Sequence, residues 1–560
     1  MKYESQARRI SLGIAVLGII GCVALLLFPQ MRQVIIGFGG SFIRRSLNAD
    51  VWNNILLITV AVYFCIIAAF LILFFSKFEV PQIPPERQSL VFAVTKIGLI
   101  SLYSCMLIFL ALANNAIWLD ESHSLSQIRY SWNDLIQLRK NDVHPPLYFL
   151  TLKAASTVFG HGIAAMKMVS VFPTILMIIF TTLFLKKEFS DRAAIIFLLL
   201  CIASQTLAFY SIEIRMYSWA LFFVTSMALS SWQFFKSGKK PWWIAMLLCA
   251  LGSAYTHTFA AVGAGIFYVF LFFYALKYKK DRIVPMILLA VFGIVLYLPW
   301  LPSLIVQFRR TSGDFWIPPL TIRDILVYGY TVLATGNPFV TLLLYFMFAF
   351  VLYHFFSRKN KTEWDFFFFG GTCCAVLLVL SGIVISIAIS PLFVARYLVP
   401  MCGLVWLFFA IECSLINRKR IIAFMYVAFV SIGIMSFSLS AYKEIKENRD
   451  YNVFYTYFTE RMRQDDAFIF VPPSDTGSFY LVGIMNSLFP DNIYATIYPG
   501  QEFEDNVFHD RTTWIFVVEE EKPDAQNSDN IRWETNGEFS GSFTWNSYHF
   551  RLYKRLPFSL

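Results

Sequence analysis

This sequence has too little charge for a water-soluble protein of its length. Only 15% of its 560 residues are Asp, Glu, Lys or Arg, whereas 58% are hydrophobic. A soluble domain carries roughly 25% charged residues. The low charge therefore excludes an ordinary globular protein and indicates an integral membrane protein.

Cysteine is missing from the polar loops. All nine cysteines lie inside apolar runs, and none stands where it could cross-link an extracytoplasmic loop. Disulfides and thiolate metal sites are therefore not expected. Ionisable residues are also scarce deep inside the apolar runs, so we expect the chemistry at helix ends.

The net charge of +10 does not indicate a nucleic-acid partner, because it is unevenly divided along the chain. Residues 441–560 contain 11 Lys and Arg against 19 Asp and Glu, which leaves 35 basic and 17 acidic residues for 1–440. The positive charge thus belongs to the apolar part, where loop cations set the orientation of membrane helices. No nucleic-acid partner is expected.

Apolar runs of membrane-spanning length are abundant. A helix needs about 20 mostly apolar residues to cross a bilayer, and thirteen runs approach or reach that length. They lie at 10–28, 54–76, 92–113, 168–185, 193–209, 216–235, 242–257, 260–276, 283–300, 338–356, 366–388, 398–415 and 420–439. The sequence therefore predicts a polytopic α-helical membrane protein with about 13 transmembrane helices.

Clusters of Lys and Arg orient these helices. Lys2, Arg8 and Arg9 precede the first run and place the N-terminus in the cytoplasm. Counting spans from there, the later basic clusters also fall inside, at 77–87, 186–192, 236–240, 277–282, 358–361 and 418–420. We therefore predict a multi-pass protein of the cell membrane.

The same count assigns the other loops to the outside of the membrane. They are 114–167, 210–215, 301–337, 389–397 and the tail after residue 440. The short apolar segment that begins at Pro145 is expected to be a surface or partly embedded helix, because a full span there would invert every later basic cluster.

The chain changes character near residue 441. From 441 to 560 it is polar and charged, with β-like runs at 467–471 and 513–518 separated by Pro, Gly, Asn and Asp. We expect a small soluble extracytoplasmic α/β domain there. It would follow two N-terminal transmembrane helices within 1–91 and a transmembrane core over 92–440.

Polar groups gather at three predicted outer helix ends. The first group contains Asp120, Glu121, His123, Asp142, His144 and Tyr148, the second Glu213, Arg215 and Tyr217, and the third Arg396 and Tyr397. Each alone has an ordinary explanation, such as solvated carboxylates, a helix start at His-Pro-Pro, an interfacial ion pair or a snorkelling arginine. Together they are complementary, because a carboxylate can deprotonate a hydroxyl and arginines can bind a phosphate.

Four segments resemble a known family. They are WLDES at 118–122, DVHPPLYF at 142–149, YSIEIRMYSWA at 210–220 and PLFVARYLVP at 391–400. Their order and spacing are similar to those of family 39-like membrane glycosyltransferases of the GT-C fold, which include protein O-mannosyltransferases and lipid A aminoarabinose transferases. The resemblance covers residues 92–415 and implies a GT-C fold. The two spans before residue 92 depart from the family pattern.

The resemblance implies an inverting transfer of a hexosyl or pentosyl unit on the non-cytoplasmic face of the membrane. The donor would be a polyprenyl-phosphate sugar, and the acceptor a hydroxyl of a glycan, lipid or protein. Asp120 would be the general base, with Glu121 beside it. The acceptor pocket would include His123, Asp142, His144 and Tyr148, and the donor-phosphate side Glu213, Arg215, Tyr217, Arg396 and Tyr397.

A metal ion is left open by the sequence. Some relatives bind a divalent ion near this pocket and others do not. The residues that offer oxygen or imidazole ligands are Asp120, Glu121, Asp142, His144 and Glu213, but no spacing among them dictates a metal.

Two other functional classes also stay open. A lipid or sugar transporter, such as a flippase, would favour paired repeats, broken helices and ionisable groups near the bilayer midplane. The sequence shows no convincing repeat, and Lys96 and Glu412 lie toward predicted cytoplasmic ends. A non-catalytic membrane scaffold would instead use the C-terminal tail to bind a partner.

Overall fold

A computed structural model describes most of the chain from residue 85 onward. The described residues are 85–311, 317, 322–335, 337–358, 362–388, 391–463, 465–471, 493–496, 511–519, 538–545 and 548–555. The spans predicted at 10–28 and 54–76 lie outside them. Two compact units are distinguished. The membrane unit holds 85–113 and Trp132–Glu444, and the C-terminal unit holds Asn114–Ser131 and the described residues from Ile445 onward.

Helices make up the membrane unit. In chain order the helices are α1 (Pro85–Ala113), α2 (Leu119–Gln127), α3 (Trp132–Lys140), α4 (Leu147–Phe159), α5 (Ile163–Glu188), α6 (Asp191–Ala203), α7 (Gln205–Ile212), α8 (Tyr217–Ser237), α9 (Lys240–Thr256), α10 (Thr258–Tyr278), α11 (Ile283–Tyr297), α12 (Leu301–Thr311), α13 (Ile322–Val332), α14 (Pro338–Ser357), α15 (Glu363–Ala388), α16 (Val399–Ser414) and α17 (Lys419–Arg461). Helix α2 belongs to the C-terminal unit, and α17 contributes residues to both units.

Eight helical stretches of the described chain are long and apolar enough to cross a membrane. They are Leu90–Ala113, Ile163–Glu188, Thr258–Tyr278, Lys280–Gln307, Pro338–Ser357, Glu363–Ser386, Ala395–Ser414 and Lys419–Arg461. Helices α6 and α7 would together make a ninth, bent by 69°. These stretches coincide with predicted spans, and the protein is a multi-pass membrane protein. The predicted total of 13 is not confirmed. Helices α8 and α9, which correspond to the predicted spans 216–235 and 242–257, are not among these nine stretches.

The break between α6 and α7 shapes the segment that follows them. Ser204 Oγ accepts a hydrogen bond from the Leu207 N–H at 3.2 Å and so caps the start of α7. Helix α7 then ends at Ile212. The connection to α8 carries Glu213 and Arg215, where the Arg215 N–H donates to the Glu213 carbonyl at 2.7 Å. This tight turn fixes both residues at the ends of two packed helices.

Helix α4 corresponds to the short apolar segment that begins at Pro145. The sequence predicted a surface or partly embedded helix there. It has 13 residues, which at the α-helical rise reach only about 20 Å. The Nζ of Lys153 lies 5.2 Å from the Trp132 ring centroid. The helix is confirmed, whereas its depth in the membrane stays a prediction.

Helix α16 is the most deeply packed element of the membrane unit. Its apolar window is completely buried, and Gly403 on it allows close approach of α8 at Thr225. Trp406 Nε1 donates to the Val332 carbonyl at 3.0 Å, which ties α16 to the end of α13. The core of the unit therefore sits around α8 and α16.

Two ionisable residues inside the spans, Lys96 and Glu412, have partners within the membrane unit. Lys96 on α1 pairs with Asp191 at the start of α6. Glu412 on α16 accepts a hydrogen bond from Arg358 Nη2 at 3.0 Å and lies 2.9 Å from His354 Nδ1. These contacts link neighbouring helices and account for both charges as structural.

A five-stranded sheet forms the described part of the C-terminal unit after α17. The strands are β1 (Ala467–Val471), β2 (Ile493–Thr496), β3 (Thr513–Glu519), β4 (Glu538–Trp545) and β5 (Tyr548–Arg555), in the spatial order β2-β1-β3-β5-β4. Strand β1 is parallel to β2 and β3, whereas β5 is antiparallel to β3 and β4. Ile469, Ile515 and Tyr553 bury one face of it. The strands predicted at 467–471 and 513–518 are present, and the wider α/β architecture stays a prediction.

Candidate functional site

The partly buried carboxylate of Asp142 organises the turn between α3 and α4. Asp142 Oδ1 accepts hydrogen bonds from the backbone N–H groups of Val143 and, at 3.3 Å, His144. Its Oδ2 accepts from Arg139 Nη2 at 2.5 Å. Two prolines then follow and restrict the backbone before α4. Asp142 therefore positions His144 by holding the turn that presents it.

Arg139 completes this turn from the last residues of α3. Its side chain is buried, and its guanidinium carbon lies 4.1 Å above the Phe149 ring. Burial lowers the pKa of Arg139 to about 10, and the Asp142 carboxylate opposes that shift. The guanidinium thus stays charged at neutral pH.

His144 meets Arg215, which the sequence places 71 positions later. Arg215 Nη2 and His144 Nε2 are 2.9 Å apart, and both residues are buried. A guanidinium can only donate hydrogen bonds, so His144 Nε2 accepts and the ring proton sits on Nδ1. Burial, followed by the charge of Arg215, lowers the pKa of His144 well below its ordinary value. The pair is therefore a neutral imidazole that orients a cation.

Backbone contacts hold Arg215 from its other side. Ser170 Oγ donates to the Arg215 carbonyl at 3.4 Å and lies 3.3 Å from the Tyr148 hydroxyl. Tyr148, a predicted pocket residue, is fully buried on α4. It supports Arg215 through Ser170, so Asp142, His144 and Tyr148 of the first predicted group lie in the membrane unit with the second group.

Histidine 257 joins these residues, and sequence reasoning missed it. Its ring centroid lies 5.7 Å from the His144 ring, 5.7 Å from the Tyr217 ring and 4.9 Å from the Tyr397 ring. The available signal was its place at the end of the apolar run 242–257, on the side of the membrane to which the charge-based orientation also assigns His144. A single histidine at the end of an apolar run forms no motif with its neighbours.

Arg396 and Tyr397 come to this cluster from the short 3-10 turn Ala395–Leu398 that precedes α16. The Arg396 guanidinium carbon lies 6.0 Å from the Tyr397 ring centroid, and that ring stacks on Phe259 with 5.0 Å between centroids. Tyr397 is buried, whereas Arg396 is partly exposed. Tyr397 is thus the residue of the third predicted group that contacts His257.

Glu213 and Tyr217 line the turn that holds Arg215. Glu213 is buried at the end of α7. Tyr217 begins α8 and meets the Tyr210 ring edge-on with 5.0 Å between centroids. The turn thus holds a buried carboxylate, Glu213, two positions before the buried Arg215.

The carboxylates predicted to act on the acceptor lie on α2 of the C-terminal unit. Glu121 is buried, and its Oε2 accepts the Trp118 N–H at 3.2 Å, which caps the start of α2. His123 Nε2 lies 2.8 Å from Gln127 Nε2. Asp120 occupies the first turn of α2 and is partly exposed. Glu121 thus has a local structural role, which distinguishes it from Asp120.

The described residues do not assemble a metal site. Among them, no group of three or more His, Cys, Asp or Glu side chains lies close enough to hold an ion. The possible metal ligands named from the sequence, Asp120, Glu121, Asp142, His144 and Glu213, form no such group among the described residues.

The cluster of His144, Arg215, His257, Arg396 and Tyr397 is suited to an anion. It combines two guanidinium groups with neutral imidazole and phenol side chains in a largely buried setting. Forked, charge-assisted hydrogen bonds from arginine match phosphate oxygens well. We refer to these five residues as the anion cluster.

Comparison with known proteins identifies the fold. No protein-family model and no curated protein matches the sequence. The chain is similar to ArnT from Cupriavidus metallidurans in the apo state, with a TM-score of 0.59 and 9% identity over 82% of this chain and 98% of that chain. ArnT from the same organism bound to undecaprenyl phosphate gives a TM-score of 0.57 and 9% identity over 81% and 97%. At this identity the likeness shows the fold alone, and it confirms the expected GT-C fold.

Proposed function

We propose that this protein is an inverting membrane glycosyltransferase that uses a polyprenyl-phosphate sugar. The observation that carries the proposal is the buried pairing of Arg215 with a neutral His144 at 2.9 Å. A cation held in one orientation, with a second arginine in the same cluster, is what a phosphate leaving group requires. The fold supports the proposal, since ArnT, which shares it, has a structure bound to undecaprenyl phosphate.

The proposed reaction is a single displacement at the anomeric carbon. The acceptor hydroxyl oxygen forms a bond to that carbon while the bond from the carbon to the donor phosphate oxygen breaks. Asp120 accepts the hydroxyl proton, and the bonding electron pair leaves with the polyprenyl phosphate. One displacement inverts the configuration, so no covalent nucleophile is needed.

The anion cluster would act on the leaving group. A phosphodiester donor carries one negative charge, and the departing polyprenyl phosphate carries a second one that develops as the bond breaks. Arg215 and Arg396 would neutralise that developing charge inside a largely buried site, where such electrostatic stabilisation is strong. Glu213 would keep the empty site from being too positive.

The proposed reaction belongs on the non-cytoplasmic face of the cell membrane. The Lys and Arg clusters of the sequence support that orientation. The sugar would be a hexosyl or pentosyl unit, and the acceptor a hydroxyl of a glycan, a lipid or a protein.

The reaction class can be tested with purified protein in detergent or liposomes. A panel of undecaprenyl-phosphate sugars would be incubated with the protein, and released undecaprenyl phosphate would be measured by mass spectrometry. We expect release from at least one donor, with inverted configuration in the product by NMR. Tight binding of every donor with no release and no transfer would contradict the proposal.

A transporter is the second candidate, and the charges inside the spans argue against it. Transport sites near the bilayer midplane need ionisable groups that face a pathway. Lys96 and Glu412 instead pair with neighbouring helices. Movement of labelled lipid-linked sugar across liposomes without transfer would favour this candidate.

A further inference from the structure

The two ring nitrogens of His257 have different surroundings. Nδ1 accepts a hydrogen bond from the Phe259 N–H at 3.1 Å, which caps the start of α10. An accepting Nδ1 carries no proton, so the neutral ring bears its proton on Nε2. Within the described residues, Nε2 has no hydrogen-bond partner. The ring therefore presents one N–H donor that the fold itself does not use.

That unused donor is deeply buried. His257 is only 1% exposed. A buried donor without an acceptor costs about 1–3 kcal/mol, and such groups in folded proteins call for a functional explanation. The cap on α10 needs only Nδ1, and Asn, Asp or Ser would cap a helix as well as histidine. Histidine therefore adds one group that the cap does not need, the Nε2–H donor.

The surroundings of His257 indicate an anionic ligand. Its ring lies 5.7 Å from the ring of His144, whose own Nε2 accepts from Arg215. It lies 4.9 Å from the ring of Tyr397, whose neighbour in sequence is Arg396. A neutral N–H donor beside two guanidinium groups is complementary to a negatively charged oxygen.

We propose that His257 Nε2–H donates a hydrogen bond to a phosphoryl oxygen of the polyprenyl phosphate. The proposal rests on the function proposed above and adds a binding residue to it. His257 neither gains nor loses a proton in the reaction. Its contact strengthens as the phosphate gains its second negative charge, so the released polyprenyl phosphate is bound more tightly than the donor.

The variant that tests this role is His257→Asn. The Asn Oδ1 can occupy the place of Nδ1 and keep the cap on α10, whereas its amide nitrogen ends one bond short of Nε2. His257→Ser is a second variant, because Ser also caps helices and cannot reach that far. Ser190→Ala is the control for a lost cap, since Ser190 Oγ caps α6 by accepting the Ala193 N–H at 3.1 Å.

Equilibrium binding of undecaprenyl phosphate and of undecaprenol would be measured for the full-length protein and the three variants. Undecaprenol has the same chain without the phosphate, so the difference between the two ligands isolates the phosphate contact. We expect His257→Asn and His257→Ser to weaken undecaprenyl phosphate binding about 10- to 100-fold, the effect of one charged hydrogen bond. The affinity of His257→Asn and His257→Ser for undecaprenol should be unchanged. Ser190→Ala should bind both ligands as the wild type does.

Three results would overturn the proposal, and they are distinguishable. If both folded variants bind undecaprenyl phosphate as tightly as the wild type, His257 does not contact the phosphate, and the proposed function stays intact. Equal weakening of both ligands would assign His257 a structural role only. A wild-type protein that binds undecaprenol as tightly as undecaprenyl phosphate would contradict the proposed function itself, and the role of His257 with it.

Discussion

Arg215 and His144 fix each other in one chemical state. The guanidinium donates to Nε2 over 2.9 Å, and it can do so only while His144 is neutral. Tyr148 and Ser170 hold the backbone of Arg215, and Asp142 holds that of His144. The cation is thus oriented before any ligand arrives, which reduces the reorganisation needed during the reaction.

Replacing Arg215 by Lys should weaken the enzyme although it keeps the charge. Lysine provides a single ammonium group and cannot contact a phosphate and His144 with a planar fork. We expect kcat/KM for the lipid-linked donor to fall about 10- to 100-fold. The matched control is Arg192→Lys, where the arginine donates to the Ser414 carbonyl at 3.2 Å, at the end of α16 opposite to Arg396 and Tyr397. Equal rates for Arg215→Lys and wild type would contradict the role of Arg215.

Acid should destabilise the protein through His144. Burial and the Arg215 and His257 side chains lower the pKa of His144, whereas in the unfolded chain it titrates near 6.5. Below about pH 6.5 the unfolded state binds a proton that the folded state does not, so stability falls as pH falls. The midpoint of thermal unfolding should therefore drop between pH 7.5 and 5.5. His144→Gln should show a smaller drop; an equal drop in that variant would assign the effect to other groups.

Sequence reasoning identified most members of this cluster but not their pairings. Of the anion cluster, His144, Arg215, Arg396 and Tyr397 lie in motifs at predicted helix ends. The pairing of His144 with Arg215 depends on the tertiary packing of α4 against α5, which no spacing along the chain encodes. His257 was not predicted because a single histidine at the end of an apolar run forms no recognisable motif.

At the scale of elements, close helix packing places the turns that carry the site. Helix α8 starts just after Arg215, and α16 starts just after Arg396 and Tyr397. The two helices approach at Gly403, where a Cβ atom would overlap Thr225 Oγ1. The absence of a side chain there permits the approach, because a packed interior has little room to adjust.

Gly403→Ala should therefore destabilise the protein. The added methyl group would push α8 and α16 apart, at a cost of about 1–3 kcal/mol. Gly265→Ala on α10 is the matched control, since a Cβ there meets nothing within 4 Å. Alanine in that helix should be neutral or stabilising by about 0.5–1 kcal/mol. Thermal unfolding in detergent would compare them, and a stable Gly403→Ala protein would contradict the packing argument.

Hydropathy predicted the existence of the helices well and their breaks poorly. The run at 193–209 was expected to be one span, whereas Ser204 starts a new helix and bends the pair by 69°. A serine inside an apolar run is compatible with either outcome. Tertiary contacts favour a new helix capped by Ser204. One of them is the hydrogen bond that the Gln205 N–H donates to the Ala334 carbonyl at 3.0 Å.

At the scale of the whole molecule, two kinds of unit share one chain. The membrane unit holds the anion cluster, and the C-terminal unit holds Asp120 on α2 and the five-stranded sheet. Composition alone predicted a change of character near residue 441. It could not predict that 114–131 belongs with the C-terminal unit, because that segment is tied there by contacts between residues distant in sequence, such as the hydrogen bond from the Asn115 N–H to Asn448 Oδ1 at 2.9 Å.

The proposed transfer of a sugar from a polyprenyl phosphate depends on Asp120 as the base. The most direct measurement is the rate of undecaprenyl phosphate release by wild type and by Asp120→Asn, with a donor identified in the panel and with binding of that donor measured in parallel. We expect Asp120→Asn to bind the donor normally and to release product about 10²- to 10⁴-fold more slowly. Release at the wild-type rate by a properly folded Asp120→Asn protein would contradict the account.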